Sequence, residues 1–465
     1  MTRKLGWLAC ASIGCADPVA LPPTPELVRA IDVNADPAIV EVNLAATESS
    51  TRYVDGVPTP VLAYRDGSID GSTGTVPGPL IEARRGDRLI VHFRNELADR
   101  STTVHWHGLR LPIEMDGDPT VNGAVPPGGS FDYDFTLEDA GLFWYHPHVE
   151  TDEQIELGLQ GPLLVRDTGE PAVAADRVFV LDDVDLDADR AVRIEPSRED
   201  LMLGRHGDTL LVNGGVPGRI VASPAAVERW RFVNTSNGRF YELALGGRTF
   251  RVIGWDGGLV AAPYDVDRLL VTPGERYDVL VALDDRPGGS LSLETREVAR
   301  GEGAEDRGAR ELVRVELDGD PIAPQQLPVI AGDVTPLAVT ANTTVRTFRL
   351  TEDLDGQAGA VFFINDERWP FNIPVDVKLG DTEIWELVND NDHEHPFHIH
   401  GHFAQVLDRD GIAEPSLGWK DTVAVAARST VRVALRYEAR GKWMVHCQIP
   451  EHAERGMTAD VNVIP

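Results

Sequence analysis

The chemistry of this chain is concentrated in the stretch WMVHCQIPEHAERGM, residues 443–457. Cys447 is the only cysteine after position 15. His446 precedes it, His452 follows five residues later, and Met457 follows ten residues later. One thiolate, two imidazoles and a weak thioether make up the ligand set of a blue-copper electron-transfer site. The imidazole still wanting lies upstream, in HEHPFHIHGH at 393–402. Gln448 follows the cysteine directly.

Such ligands need rigid strands to hold them, and the chain supplies the strands in triplicate. RLIVHFRN ends at Asn95, RWRFVN at Asn234 and EIWELVN at Asn389, each alternating large apolar with polar residues as a half-buried strand does. The asparagines are 139 and 155 residues apart, a domain-sized period. Each follows a Pro-containing segment, and each is followed by a second repeat: SFDYDFTLEDAGLFWYHPH, then ERYDVLVALDDRPGG, then STVRVALRYEARGKWMVHCQ. Short strands separated by Gly, Pro and Asp turns indicate β-sandwiches. The expected architecture is all-β, with consecutive sandwiches over roughly 37–168, 171–322 and 326–465. Residues 299–311 read as a mobile, charged, Gly-rich surface hairpin.

The histidines fall on this repeat unevenly. His105 and His107 follow Asn95, and His398 and His400 follow Asn389 at nearly the same offsets, whereas the middle unit has YELALGG there. The late strand carries His146 and His148 in the first unit and His446 and Cys447 in the third; the middle unit has neither. An i, i+2 pair on a strand projects both side chains to one face. The outer units can therefore converge on one metal cluster if they touch, with the middle unit as a spacer.

HWHG (105–108), HPH (146–148), HPFHIH (395–400) and HCQIPEHAERGM (446–457), together with PGERYDVLV (273–281) and GWKDTV (418–423), resemble the multicopper oxidases, in particular the three-domain bacterial laccases. The likeness runs from about residue 40 to the C-terminus. It implies three cupredoxin-like Greek-key sandwiches and copper as cofactor: one blue copper and a three-copper cluster. Carried over by position, His395, Cys447, His452 and Met457 resemble the blue-copper ligands. His105 and His398 resemble those of the lone cluster copper, and His107, His146, His148, His400 and His446 those of the copper pair. The implied reaction is one-electron oxidation of a small-molecule reductant, a phenol or aromatic amine, coupled to reduction of O2 to water. The alternatives are a cuprous-ion oxidase, for which five scattered methionines are few, and a degenerate electron carrier with an impaired cluster.

Two positions depart from the family pattern. Gln448 replaces an imidazole expected beside His107 and His146, and an amide oxygen is a poorer copper donor. That leaves three states open: a weakened working site, one completed by water or hydroxide, and one depleted of copper. His402 is not expected to substitute for it. Ala453 stands where bacterial relatives carry a glutamate, so Asp116 becomes the candidate proton relay to the cluster. Glu451 and Glu454 read as solvated rim charges, and Trp106, Trp144 and Trp443 as packing around the ligand motifs.

Net charge is −32, which disfavours nucleic acid and anionic membranes as partners and favours a soluble monomer. Residues 1–15, MTRKLGWLACASIGC, read as an export signal of lipoprotein type, with Cys15 as the lipid-bearing residue and the only membrane link. The apolar run is too short to span a bilayer. Residues 16–36 read as a Pro-rich tether, and the protein as periplasmic or on the outer surface.

Overall fold

The computed structural model describes residues 21–54, 56–298, 300, 308–320, 322–354 and 360–465. The expected export signal, Cys15 and residues 301–307 of the expected hairpin lie outside the described residues. Among the described residues no helix is long and apolar enough to cross a membrane.

The repeat asparagines explain how the chain is turned from one sheet to the next. Asn95 accepts a hydrogen bond from Leu97 N and donates to the carbonyls of Arg100 and Val125, at 2.8 and 2.9 Å. Asn234 accepts from Ser236 N and donates to Arg239 O and Val271 O, at 2.7 and 3.0 Å. Asn389 accepts from Asn391 N and donates to His393 O and Val425 O, at 2.8 and 3.2 Å. One buried side chain thus ties its own turn to a segment 30 to 37 residues farther on, three times over, which a shorter or apolar residue cannot do.

Around these turns the strands form six sheets, two per unit. In each unit the strand ending at the asparagine pairs parallel with the unit's opening strand: Arg88–Asn95 with Ile39–Val54, Val227–Asn234 with Ala175–Val184, and Thr382–Asn389 with Thr344–Asp353. The second sheets share one order as well. In the first unit it runs Ile81–Arg84, Gly161–Arg166, Gly141–His146, His105–His107; in the third it runs Val375–Lys378, Thr458–Ile464, Gly441–Cys447, His395–Ile399, Thr422–Val425. The fold is three consecutive cupredoxin-like sandwiches.

The middle strand Val227–Asn234 is buried on both faces rather than one. Its arginines account for this: Arg231 meets Asp176 and Glu170, each at 2.9 Å, and Arg229 pairs with Asp278. Charges that would face water are paired instead with carboxylates of the neighbouring strands and of the link before the unit, so the alternating pattern is retained without exposure. Apolar packing differs by unit. One continuous core runs through the first and third units, from Val91 and Trp106 to Phe397 and Val445, while the middle unit has its own around Trp230 and Leu243.

The described part of the expected tether is not free. Thr24 N donates to Arg219 O and Arg219 N to Pro22 O, both at 2.8 Å. Farther along, Leu80 N donates to Val28 O at 2.7 Å and Ala30 N to Leu80 O at 2.9 Å. Backbone pairing with both the second and first units makes residues 22–30 a strap.

Asn234→Ala removes two donors and an acceptor from buried main-chain groups without removing a candidate metal ligand. Calorimetric unfolding should show a loss of about 3 kcal/mol, with a stability unchanged from the parent excluding this role for the repeat asparagine.

Candidate metal centres

Three donors from two neighbouring segments form the first centre, with the backbone of Met457 bonded beside them. His395 opens a strand, Cys447 ends the strand beside it, and His452 sits in the short helix Pro450–Glu454, which Pro450 starts. Cys447 Sγ lies 3.6 Å from Nδ1 of both His395 and His452. Met457 returns to this place because Gly456 takes φ +120°, where a Cβ would strike Arg368 and the Phe362 carbonyl. Met457 O then accepts from Cys447 N at 3.0 Å. All four side chains are buried, and Phe362 stacks on His452 at 4.0 Å.

The outer nitrogens of the two imidazoles are engaged elsewhere. His452 Nε2 donates to Met202 O at 3.1 Å, and His395 Nε2 meets the Asn391 side-chain amide at 2.9 Å. Their Nδ1 atoms face each other at 3.2 Å. Burial, helped by nearby His393, lowers the His395 imidazole to about 3, and burial holds His452 well below the usual range and pushes the Cys447 thiol up.

The second centre joins the first and third units. His105 lies opposite His146 in register, and His398 opposite His446. Donor atoms of His105, His398 and His400, of His105, His146 and His148, and of His148, His400 and His446 each gather within 4.8 Å. Here too one nitrogen of six of the rings is tied back. His105 donates to Asp116 O (2.8 Å), His400 to Asp116 Oδ2 (2.9 Å), His398 to Asp421 O (3.0 Å), His446 to Cys447 O (2.8 Å) and His146 to Pro147 O (3.0 Å). His107 donates through Nε2 to Asp421 and Thr422.

What remains is a set of inward lone pairs. His400 Nε2 faces His446 Nε2 at 3.0 Å and His146 Nε2 faces His107 Nδ1 at 3.5 Å, while Nε2 of His105, His148 and His398 are buried with no hydrogen-bond partner. Opposed acceptors at these distances repel unless a cation lies between them. Burial first, and neighbouring imidazoles second, hold His107, His146, His148 and His400 well below the usual histidine range, and lower His446 to about 3. Protons therefore do not serve as that cation. Neutral imidazoles, with a thiolate at the first centre, are the donor set that suits copper.

Gln448 lies at the edge of this centre. Its backbone N donates to Pro396 O at 2.7 Å, and its Oε1 is buried without a hydrogen-bond partner. A Cβ on Gly274 would come within 2.6 Å of Gln448 Cγ and 3.1 Å of His107 Cε1, so the two side chains pack against the same glycine. His402 turns away, bonding His400 O through Nδ1 and resting edge-on against Trp443. Trp144 packs on His107 and His146, whereas Trp106 lies in the apolar core with Tyr133 and Phe135. Glu454 is exposed, but Glu451 is not a solvated rim charge. It is buried, bonds Asn237 Nδ2 at 2.9 Å, and burial lifts its carboxyl to about 7 despite Arg205 nearby. The unit boundary, formed as the helix packs on the middle unit, removes it from water.

The middle unit supplies none of the grouped donors, yet it is more than a spacer. Met202 caps His452, and Arg276 grips Asp421 with a 2.7 Å contact from Nη1. Burial opposes ionisation of Asp421, but the Arg276 guanidinium overcomes it and holds the carboxyl well below its usual range. Asp421 in turn braces His107. Sequence reasoning missed Asp421, Thr422, Arg276 and Asn391 as supports. For Asp421, Thr422 and Arg276 the signal was available in GWKDTV and PGERYDVLV, which carry charged residues within strand patterns.

Comparison with known proteins agrees with this geometry. Multicopper oxidase family domains match residues 54–170, 187–290 and 337–465. The multicopper oxidase MmcO of Mycobacterium tuberculosis is 31% identical over 92% of this chain and 90% of its own length. The laccase of Bacillus subtilis is 25% identical, covering 95% and 97%. A variant of the McoA multicopper oxidase of Aquifex aeolicus superposes with a TM-score of 0.84 at 28% identity, over 96% of this chain and all of that one. Two centres of inward-facing donors on three such sandwiches, with relatives matched end to end, mean that the chain belongs to the multicopper oxidases, as a laccase-like copper-dependent oxidoreductase with O2 as acceptor.

Proposed function

We propose that His395, Cys447, His452 and Met457 hold a blue copper. We assign His105, His107, His146, His148, His398, His400 and His446 to a three-copper cluster that reduces O2 with electrons from phenols or aromatic amines. The observation that carries this is one strand pairing: Phe397 is opposite Cys447 and His398 is opposite His446. Adjacent residues on a strand point to opposite faces. Cys447 therefore serves the first centre and His446 the second, with one peptide unit between them. When bound, copper supplies one-electron acceptance at the thiolate site and four-electron delivery to O2 at the cluster.

The chain's own groups set how electrons and protons arrive. The outer edge of His452 is covered by the Met202 carbonyl, so a donor docks against the helix Arg198–Leu203 rather than on the imidazole itself. Asp116 is the carboxylate beside the cluster, with Oδ2 2.9 Å from His400 Nδ1 and 3.5 Å from His105 Nδ1. It positions both rings and is placed to pass protons inward. The basic, briefly apolar start of the chain supports export to the periplasm with Cys15 as lipid-bearing residue, and the acidic surface supports a monomer.

Purified, copper-loaded protein should display a thiolate-to-copper visible band, an EPR-silent coupled copper pair and steady O2 uptake with a phenol. Blue copper without coupled pair or O2 uptake would make it an electron carrier instead. Asp116→Asn should keep the visible band and lower both cluster copper affinity and O2 uptake by about tenfold to a hundredfold. An unaltered rate and pH profile would remove Asp116 from the mechanism. In the copper-free protein, the lowered His395 and His446 leave the unfolded state binding more protons between about pH 6.5 and 3. Stability present above pH 6.5 should thus fall with pH across that window, by roughly 1 kcal/mol per pH unit for each histidine. A thermal-unfolding series flat in pH would contradict neutral, buried imidazoles.

A further inference from the structure

Gln448 leaves one corner of the cluster short of an imidazole, and that corner is reachable from outside. A cavity of about 120 Å³ has His146, His148, His446 and Gln448 among its walls at the buried end. Its wall also includes exposed Thr120 and Glu454, so it runs from the surface to the ligands. The space is roughly ten times what one water molecule requires. Ala453, carrying only a methyl group, lines it as well. The Gln448 carbonyl oxygen is buried and unpartnered, while Gly274 and the backbone bond to Pro396 O leave the side chain little room to withdraw. A weak donor, an access route and unfilled space therefore meet at one point.

Resting on the ligand assignment above, we propose that this cavity is a binding site for one small exogenous donor, a neutral nitrogen heterocycle of the imidazole type. It takes the coordination position that Gln448 fills poorly. The copper position shared by His107, His146 and Gln448 is then the weakest in the protein, and the external ligand strengthens it. The amide oxygen is a harder, weaker donor than the imidazole nitrogen it replaces, so a ligand that restores nitrogen coordination gains what the side chain forgoes.

The test is the rate of copper loss from the fully loaded protein during dialysis against a chelator, with and without added imidazole. It is read as copper per chain and by EPR. The native protein should lose one copper per chain first, with an EPR signal appearing from the uncoupled partner. Imidazole should slow that loss at least about tenfold. Gln448→His should retain the copper without imidazole and not respond to it. Ala453→Leu, which narrows the cavity, should abolish the imidazole effect while the visible blue band persists. Equal copper loss with and without imidazole, or the same response in Gln448→His, overturns the proposal. A protein in which even Gln448→His assembles no coupled copper pair overturns the ligand assignment beneath it.

Discussion

Everything functional in this protein depends on the alternation of a single β-strand. In Gly441–Cys447 the last two side chains point to opposite faces, and the neighbouring strand His395–Ile399 repeats that division, with Phe397 against Cys447 and His398 against His446. Two centres of different chemistry are thereby built back to back at a fixed spacing of one residue. A slip of one residue in this register would exchange the faces and destroy both centres together. The long, continuous core shared by the first and third units protects the register.

The second constraint is electrostatic. Rings turned inward with their lone pairs opposed at 3.0 to 3.5 Å are unfavourable arrangements held by the surrounding structure. They are held because the other nitrogen of His107, His146, His400, His446 and His452 is bonded to a carbonyl or carboxylate, which fixes both tautomer and orientation. Some of those supports come from the middle unit: Arg276 neutralises and aims Asp421, and the Met202 carbonyl pins His452. The unit without donors is therefore part of the site. Three units are needed because two supply ligands and the third supplies the charges and carbonyls that keep them in place.

Much of this was legible in the sequence. The threefold recurrence of a strand ending in asparagine revealed the sandwiches, since one side chain must do the same turn-forming work in each. The i, i+2 histidine pairs revealed the ligands, because that spacing puts both rings on one face of a strand. Other features were hidden for identifiable reasons. Glu451 reads as a surface charge because nothing local shows that a helix of the third unit packs against Asn237 and Arg205 of the second. The strand Val227–Asn234 reads as half-buried because its arginines look solvent-facing until Asp176 and Glu170 arrive from distant positions. The Pro-rich segment reads as a tether because backbone pairing with Leu80 and Arg219 leaves no mark in composition.

By itself the sequence determined the donor chemistry: which atoms are present, how they alternate on strands, and that one of them is Gln448. These follow from local covalent spacing and need no knowledge of neighbours. Only the tertiary structure decided which lone pairs face one another, which ring nitrogens are tied back, and that a cavity from the surface ends at Gln448. Those properties belong to contacts between units hundreds of residues apart in the chain, such as His107 with Asp421 and His400 with Asp116, and they exist only once the first and third sandwiches share a core.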